Sequence, residues 1–160
     1  MTSPNFLLLA IALTLPLSTF AGEPSKHEHS AAAHAKLTLN AGKKWATDAP
    51  LRQAMNNIRS TVATALPEAH HGKLTPEQYD ALGNDVNAQI TSIVQNCKLS
   101  PKADAQIHIL LGEIMNGIDI ATGKQLNQER ALGVIKIAQS LNNYGKYFDH
   151  ADWQTIKLPH

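Results

Sequence analysis

Prolines that follow helix-capping residues divide the chain into segments of helical length. Thr75-Pro76 and Ser100-Pro101 each place a hydroxyl residue at the N-cap and proline at the first helical position. Asp48 precedes Pro50 in a similar way, with one residue between them. Because proline lacks an N–H and has a fixed φ, it suits the first turn of a helix. These three points therefore predict three helix starts.

Apolar residues recur every three or four positions after each start and again after Asn127, which is the spacing of one face of an α helix. Pro67 is expected to end or kink the first helix, and Gly123 to cap the third. The four predicted stripes are Leu51, Met55, Ile58, Val62 and Leu66; Tyr79, Leu82, Val86, Ile90, Ile93 and Cys97; Ile107, Leu110, Leu111, Ile114, Ile118 and Ala121; and Ala131, Val134, Ile135, Ala138, Leu141 and Tyr144 or Gly145.

Aromatic residues make up only 5% of the chain, and no segment alternates apolar and polar residues as a strand does. The fold class predicted is all-α, an antiparallel up-down-up-down four-helix bundle over residues 47–150, with short loops between the helices. A signal peptide and a flexible tail are predicted to precede the bundle, and residues 151–160 to form a short C-terminal extension.

The N-terminus has the pattern of a secretory signal. Residues 6–17 are apolar apart from Thr14 and Pro16, and small residues then lead to Ala21. This predicts a signal peptide over residues 1–21, cleavage after Ala21 and a periplasmic location, because the apolar run is too short for a stable membrane span. Residues 22–46 are polar, which predicts a tail; it carries His27, His29 and His34.

Charge and motif content narrow the classes of function. The formal net charge is +1 and there is no basic block, so nucleic acid is not an expected partner. No paired carboxylates, nucleophile with an evident base, or glycine-rich phosphate loop is present in the sequence, so we do not expect an enzyme. The pair His70-His71 is expected to be a solvated loop pair.

Three stretches resemble the periplasmic four-helix cytochromes, the group of soluble b-type cytochromes and cytochrome c′. Met55 stands in the second turn of helix 1, where the b-type family has its axial Met. Residues 109–117, ILLGEIMNG, look like that family's third helix, and residues 142–148, NNYGKYF, resemble its fourth-helix end. The resemblance covers residues 48–150. It implies the four-helix fold, export, and a redox or metal-related role.

Two departures from that family concern the haem itself. The axial His of the fourth helix falls on Gly145, and the attachment motif C-x-x-C-H is absent because the chain has one cysteine, Cys97. Haem b therefore enters only as an alternative cofactor, with Met55 as the retained ligand.

The single cysteine points to a metal. In an oxidising compartment, a lone thiol is buried, paired between chains or bound to a metal. In an antiparallel bundle Cys97, His108, Met55 and Tyr144 fall in one layer at the same end, and Cys, His and Met are the ligands that soft copper prefers. The predicted metal ligands are Cys97 and His108, with Met55 as a weak third and His150 as a candidate second histidine.

The predicted function is periplasmic copper binding, for metal handling or electron transfer, with a redox or metal-transfer protein as partner. Two alternatives remain open at this point. One is a haem-b protein. The other is a non-metal interaction module in which Cys97 is buried or bridges two chains, so that the protein is a monomer or a homodimer.

Overall fold

The computed structural model describes residues 36–159. It contains four helices, α1 (Ala49–His70), α2 (Pro76–Asn96), α3 (Pro101–Ala121) and α4 (Arg130–Tyr147). Within the described range, β structure is limited to two isolated bridges, Asn40 with Lys43 and Trp45 with Phe148. The all-α prediction is thus confirmed for this part of the chain. The predicted signal peptide, its cleavage after Ala21, and the histidines of the tail lie outside the described residues.

The first three helices begin at the capping residues that the sequence indicated. Asp48 Oδ1 accepts a hydrogen bond from Leu51 N at 2.9 Å. Thr75 forms a reciprocal capping box with Gln78, and Ser100 caps Ala103 N. Each cap satisfies backbone N–H groups that have no partner inside the helix, and each is followed by proline in the first turn.

Two helices end on glycines in the left-handed region. Gly72 has φ +66° and Gly123 has φ +75°. Beyond them, Lys73 N donates to Glu68 O at 2.9 Å and Lys124 N donates to Asp119 O at 2.9 Å, the pattern of a Schellman cap. Helix α1 therefore passes through Pro67 to His70, further than predicted, because the fixed φ of proline is helical and only one backbone hydrogen bond is lost.

The predicted stripes form the core. Every member of the first stripe is buried, and the second and third stripes are buried except for Cys97, which is half-buried. In α4 the predicted stripe differs from the buried face at one isoleucine. Ile137, which the predicted stripe lacks, is buried, while Ile135, which it includes, is only partly buried. The difference arises because α4 turns Ile137 toward α3.

Glycines set how closely α3 and α4 approach. Gly117 and Gly133 face each other, and a Cβ built on Gly133 would overlap Ala121 N and Gly117 O. A Cβ on Gly117 would lie 2.6 Å from Ile137 Cγ1. Such contacts leave no room for a side chain, so the two backbones pack directly. Besides this pair, α1 packs on α2 and on α4, and α2 packs on α3.

The segments that flank the helices also belong to the packed structure. Trp45 is buried; its N donates to Tyr147 O at 2.8 Å, and its O accepts from Asp149 N at 2.8 Å. At the other end of the chain, Asn142 Oδ1 accepts from Ile156 N at 2.7 Å and its Nδ2 donates to Ile156 O at 2.9 Å. Residues 36–46 and 151–159 are thus anchored, beyond what a polar tail and a short extension would suggest.

Gly133→Ala is expected to destabilise the protein by about 3 kcal/mol, because the new methyl group has only backbone to displace. The matched control is Gly112→Ala on the exposed side of α3, where a Cβ meets nothing within 4 Å. That change should stabilise the helix by about 0.5–1 kcal/mol through helix propensity. Urea unfolding of both variants gives the comparison, and equal stability of the two would contradict the proposed close approach.

Candidate functional site at the Cys97 pole

The carboxylate of Asp48 joins the start of α1 to the end of α2. Its Oδ1 caps α1 at Leu51 N, and its Oδ2 accepts from Lys98 N at 2.6 Å. Cys97, the C-cap of α2, places its thiol beside the same carboxylate. We call this end of the molecule the Cys97 pole and define it by Asp48, Cys97, Tyr144 and His150.

The thiol of Cys97 is held in its protonated form. Burial, the negative charge of Asp48 and hydrogen bonding to that carboxylate raise the pKa of Cys97 to about 12, and the charge of Asp104 adds to the effect. Burial also raises the pKa of Asp48, but hydrogen bonds from Lys98 and Leu51 outweigh it and leave that pKa below its ordinary value. At neutral pH the pair is therefore a thiol next to a carboxylate.

Tyr144 lies at the centre of the pole. Its side chain is fully buried, and its hydroxyl is hydrogen-bonded to His150 Nδ1 at 3.0 Å. Burial raises the pKa of Tyr144; Arg52 lowers it, and the charges of Cys97 and Asp48 raise it further. The phenol is thus a buried hydroxyl whose hydrogen-bond partner is the imidazole of His150.

His150 follows α4 and is half-buried. Burial lowers its pKa, and the positive charge of Arg52 lowers it further, so the ring is neutral at neutral pH. The bond to Tyr144 uses Nδ1, and in the tautomer in which Nδ1–H donates to the phenol oxygen, the lone pair of Nε2 is left for a metal ion. Metal-bound histidines commonly have one ring nitrogen fixed by such a partner.

The other two predicted ligands differ in their exposure to solvent. His108 has a side chain 59% exposed, and its Nδ1 is 2.9 Å from Asp104 O on its own helix. Since a carbonyl only accepts, Nδ1 carries the hydrogen in that bond, and Nε2 of the neutral ring keeps a free lone pair. Met55 is 0% exposed within the core.

Cys97 and His150 both belong to the pole, but the described residues do not assemble a full set of metal ligands there. Within residues 36–159, no group of three or more His, Cys, Asp and Glu side chains could hold a metal ion. Asp48 was not among the predicted site residues. Its capping role was readable from the sequence, but its contact with Cys97 joins positions far apart in the chain, and no local pattern indicates that.

The position of the cytochrome axial histidine does not fit haem. The ring of Trp153 lies directly against Gly145, so that a Cβ there would overlap it. Lys44 Nζ also donates to Gly145 O at 2.7 Å. The space in which a side chain at position 145 would stand is filled by the chain's own C-terminal segment.

Comparisons of the chain with protein-family models, with curated proteins and with solved structures find no significant match. In the described part of the chain, none of the helices has both the length and the apolar content to cross a membrane.

Cys97 is expected to react slowly with iodoacetamide at pH 8, because a pKa of about 12 leaves almost no thiolate. Asp48→Asn removes the negative charge while retaining a good N-cap, and should accelerate alkylation by about tenfold for each unit by which the pKa falls. Asp85→Asn, an exposed change on α2, is the control. Mass spectrometry of the alkylated protein measures the rates; an unchanged rate in Asp48→Asn would show that its charge does not govern the thiol.

Proposed function

We propose that this protein is an exported copper-binding protein that takes up Cu(I) at the Cys97 pole, with Cys97 and His150 as its principal ligands. The observation that carries the proposal is that this end of the molecule holds a half-buried thiol beside the Asp48 carboxylate and a neutral imidazole, His150, with one ring nitrogen fixed by Tyr144. We also propose that the four helices follow an up-down-up-down order and that the protein is periplasmic.

The ligand types favour a soft ion. Thiolate sulfur selects Cu(I), and neutral imidazole nitrogen is compatible with copper in general. Cu(I) also accepts a low coordination number, which suits a pole that offers one sulfur and one nitrogen. A hydrogen bond donated by His150 Nδ1–H to the Tyr144 oxygen would fix the His150 ring and leave the lone pair of Nε2 available.

His108 and Met55 have secondary parts in this proposal. The free lone pair of His108 Nε2 is accessible from solvent, which suits a residue that meets copper on its way in or out. Met55 is a core side chain, and a thioether in that place serves first to fill space. The function proposed is copper handling or electron transfer toward a protein partner, with binding rather than catalysis as its basis.

Cys97→Ser should weaken Cu(I) binding by at least about 100-fold, since serine keeps a hydroxyl beside Asp48 but removes the sulfur. His150→Gln should weaken it by about tenfold, and His71→Gln, at the other end of α1, should leave it unchanged. Competition with bicinchoninate under reducing conditions measures the three affinities in the chain that begins at Gly22.

Equal Cu(I) affinity in the wild type and Cys97→Ser would remove the proposed site and leave the histidines at positions 27, 29 and 34 as the copper ligands. A sharp Soret band on addition of haem would instead support the haem-b alternative. A Cys97-linked dimer on non-reducing electrophoresis would support the interaction module.

The affinity for Cu(I) should rise by about tenfold per pH unit from pH 7 to pH 10. The reason is that the metal-bound form of Cys97 is a thiolate, so each Cu(I) ion that binds displaces one proton from the thiol. The rise continues over this range because the pKa of free Cys97 is about 12, above the highest pH tested. An ordinary thiol would level off near pH 8.5. Cys97→Ser serves as the control and should show a flat profile; early levelling in the wild type would contradict a protonated thiol.

A further inference from the structure

A groove lies between the second half of α1 and the C-terminal segment, at the end of α1 away from the Cys97 pole. It has a volume of about 590 Å³, within the usual range for small-molecule sites. The C-terminal segment is fixed at two points, one on α1 and one on α4. Arg59 donates from Nε to Gln154 O, and Asn142 holds both backbone groups of Ile156. The walls of the groove are therefore preformed.

The lining has two kinds of side chain. Its floor and walls are apolar and include Ala63, Leu66, Ile156 and Leu158. The ionisable groups of its lining are all basic, and among the described residues that line the groove none is acidic. These basic residues are Arg59, His70, His71 and Lys157.

A second groove on α1 differs from the first in the charges of its lining. It is of similar size, about 570 Å³, and it lies between α1 and α2. Its lining includes Glu68 and Asp85 together with several hydroxyl groups. Glu68 pairs with Lys73 on that side, 4.0 Å away, so the carboxylate nearest to His70 in sequence is directed away from the first groove.

We propose that the groove between α1 and residues 154–159 binds a free monocarboxylate with an apolar chain, the carboxylate at the basic residues and the chain on the floor. The apolar body would cover Leu66 and Ile156, and Lys157 would meet the head group. This binding is independent of copper, because α1 is about 30 Å long and the two sites lie at its opposite ends.

Decanoate below its micelle concentration is the probe. In ¹H–¹⁵N spectra of the full chain from Gly22, it should shift the amides of Ala63 and Leu158 with one saturable isotherm. Ala63→Phe fills the groove and should weaken binding by at least about tenfold. Lys157→Gln should weaken it by about threefold, as expected for one partly solvated charge. Thermal melting of each variant establishes that it is folded.

Matched controls are Ala105→Phe and Lys102→Gln, which place the same changes on exposed positions of α3. Both should bind decanoate as the wild type does. Decylammonium, with the same chain and the opposite charge, should bind at least about tenfold more weakly. The proposal is overturned if decylammonium binds equally well, if Ala63→Phe binds decanoate like the wild type, or if only phosphatidylglycerol vesicles and not monomeric decanoate bind.

Discussion

The carboxylate of Asp48 is the contact on which the arrangement of the Cys97 pole depends. One oxygen completes the first turn of α1 and the other accepts the backbone N–H that follows α2. Both bonds are made to an ionised acceptor, and such bonds are stronger than those between neutral groups. The start of one helix is thereby tied to the end of the next. Burial and the same negative charge together keep Cys97 protonated, so Asp48 contributes both to the geometry of the pole and to its chemistry.

Aromatic packing extends this pole into the segments outside the helices. Tyr144 stacks on Phe148 with ring centroids 5.2 Å apart, and the ring of Trp153 meets it edge-on at 4.8 Å. Trp45 joins Phe148 through a backbone bridge. Rings of this size bury large apolar areas, which is how a chain with few aromatic residues fixes both of its flanking segments. His150 is positioned as a consequence, because it lies between Phe148 and Trp153 in the chain.

Local sequence patterns were sufficient to predict the helices. They do not predict contacts between residues that are far apart in the chain. The caps at Asp48, Thr75 and Ser100 and the apolar stripes follow from spacing alone. The burial of Ile137 instead of Ile135 depends on the small volume of Gly117 in another helix. In the same way, the position of Trp153 depends on Gly145, which has no side chain to exclude the Trp153 ring. At the Cys97 pole, the sequence indicated Cys97, Tyr144 and His150, but it did not indicate the Asp48 carboxylate beside the thiol.

In the exported protein that we propose, the protonated state of Cys97 gives its single cysteine a protection other than a bound metal. A bound metal is one way to protect such a residue, since the thiolate is the form that is oxidised. Asp48 supplies protection without a metal, because its charge disfavours the thiolate. The two are not exclusive. A carboxylate that keeps the sulfur protonated also makes an incoming ion compete with a proton, so only an ion with high affinity for sulfur would displace it. Zn²⁺ and Cu(I) both bind thiolates. A pole that offers the sulfur of Cys97 and the half-buried imidazole of His150 has too few ligands for tetrahedral zinc. The proton on Cys97 would then act as a selectivity element that favours the softer ion.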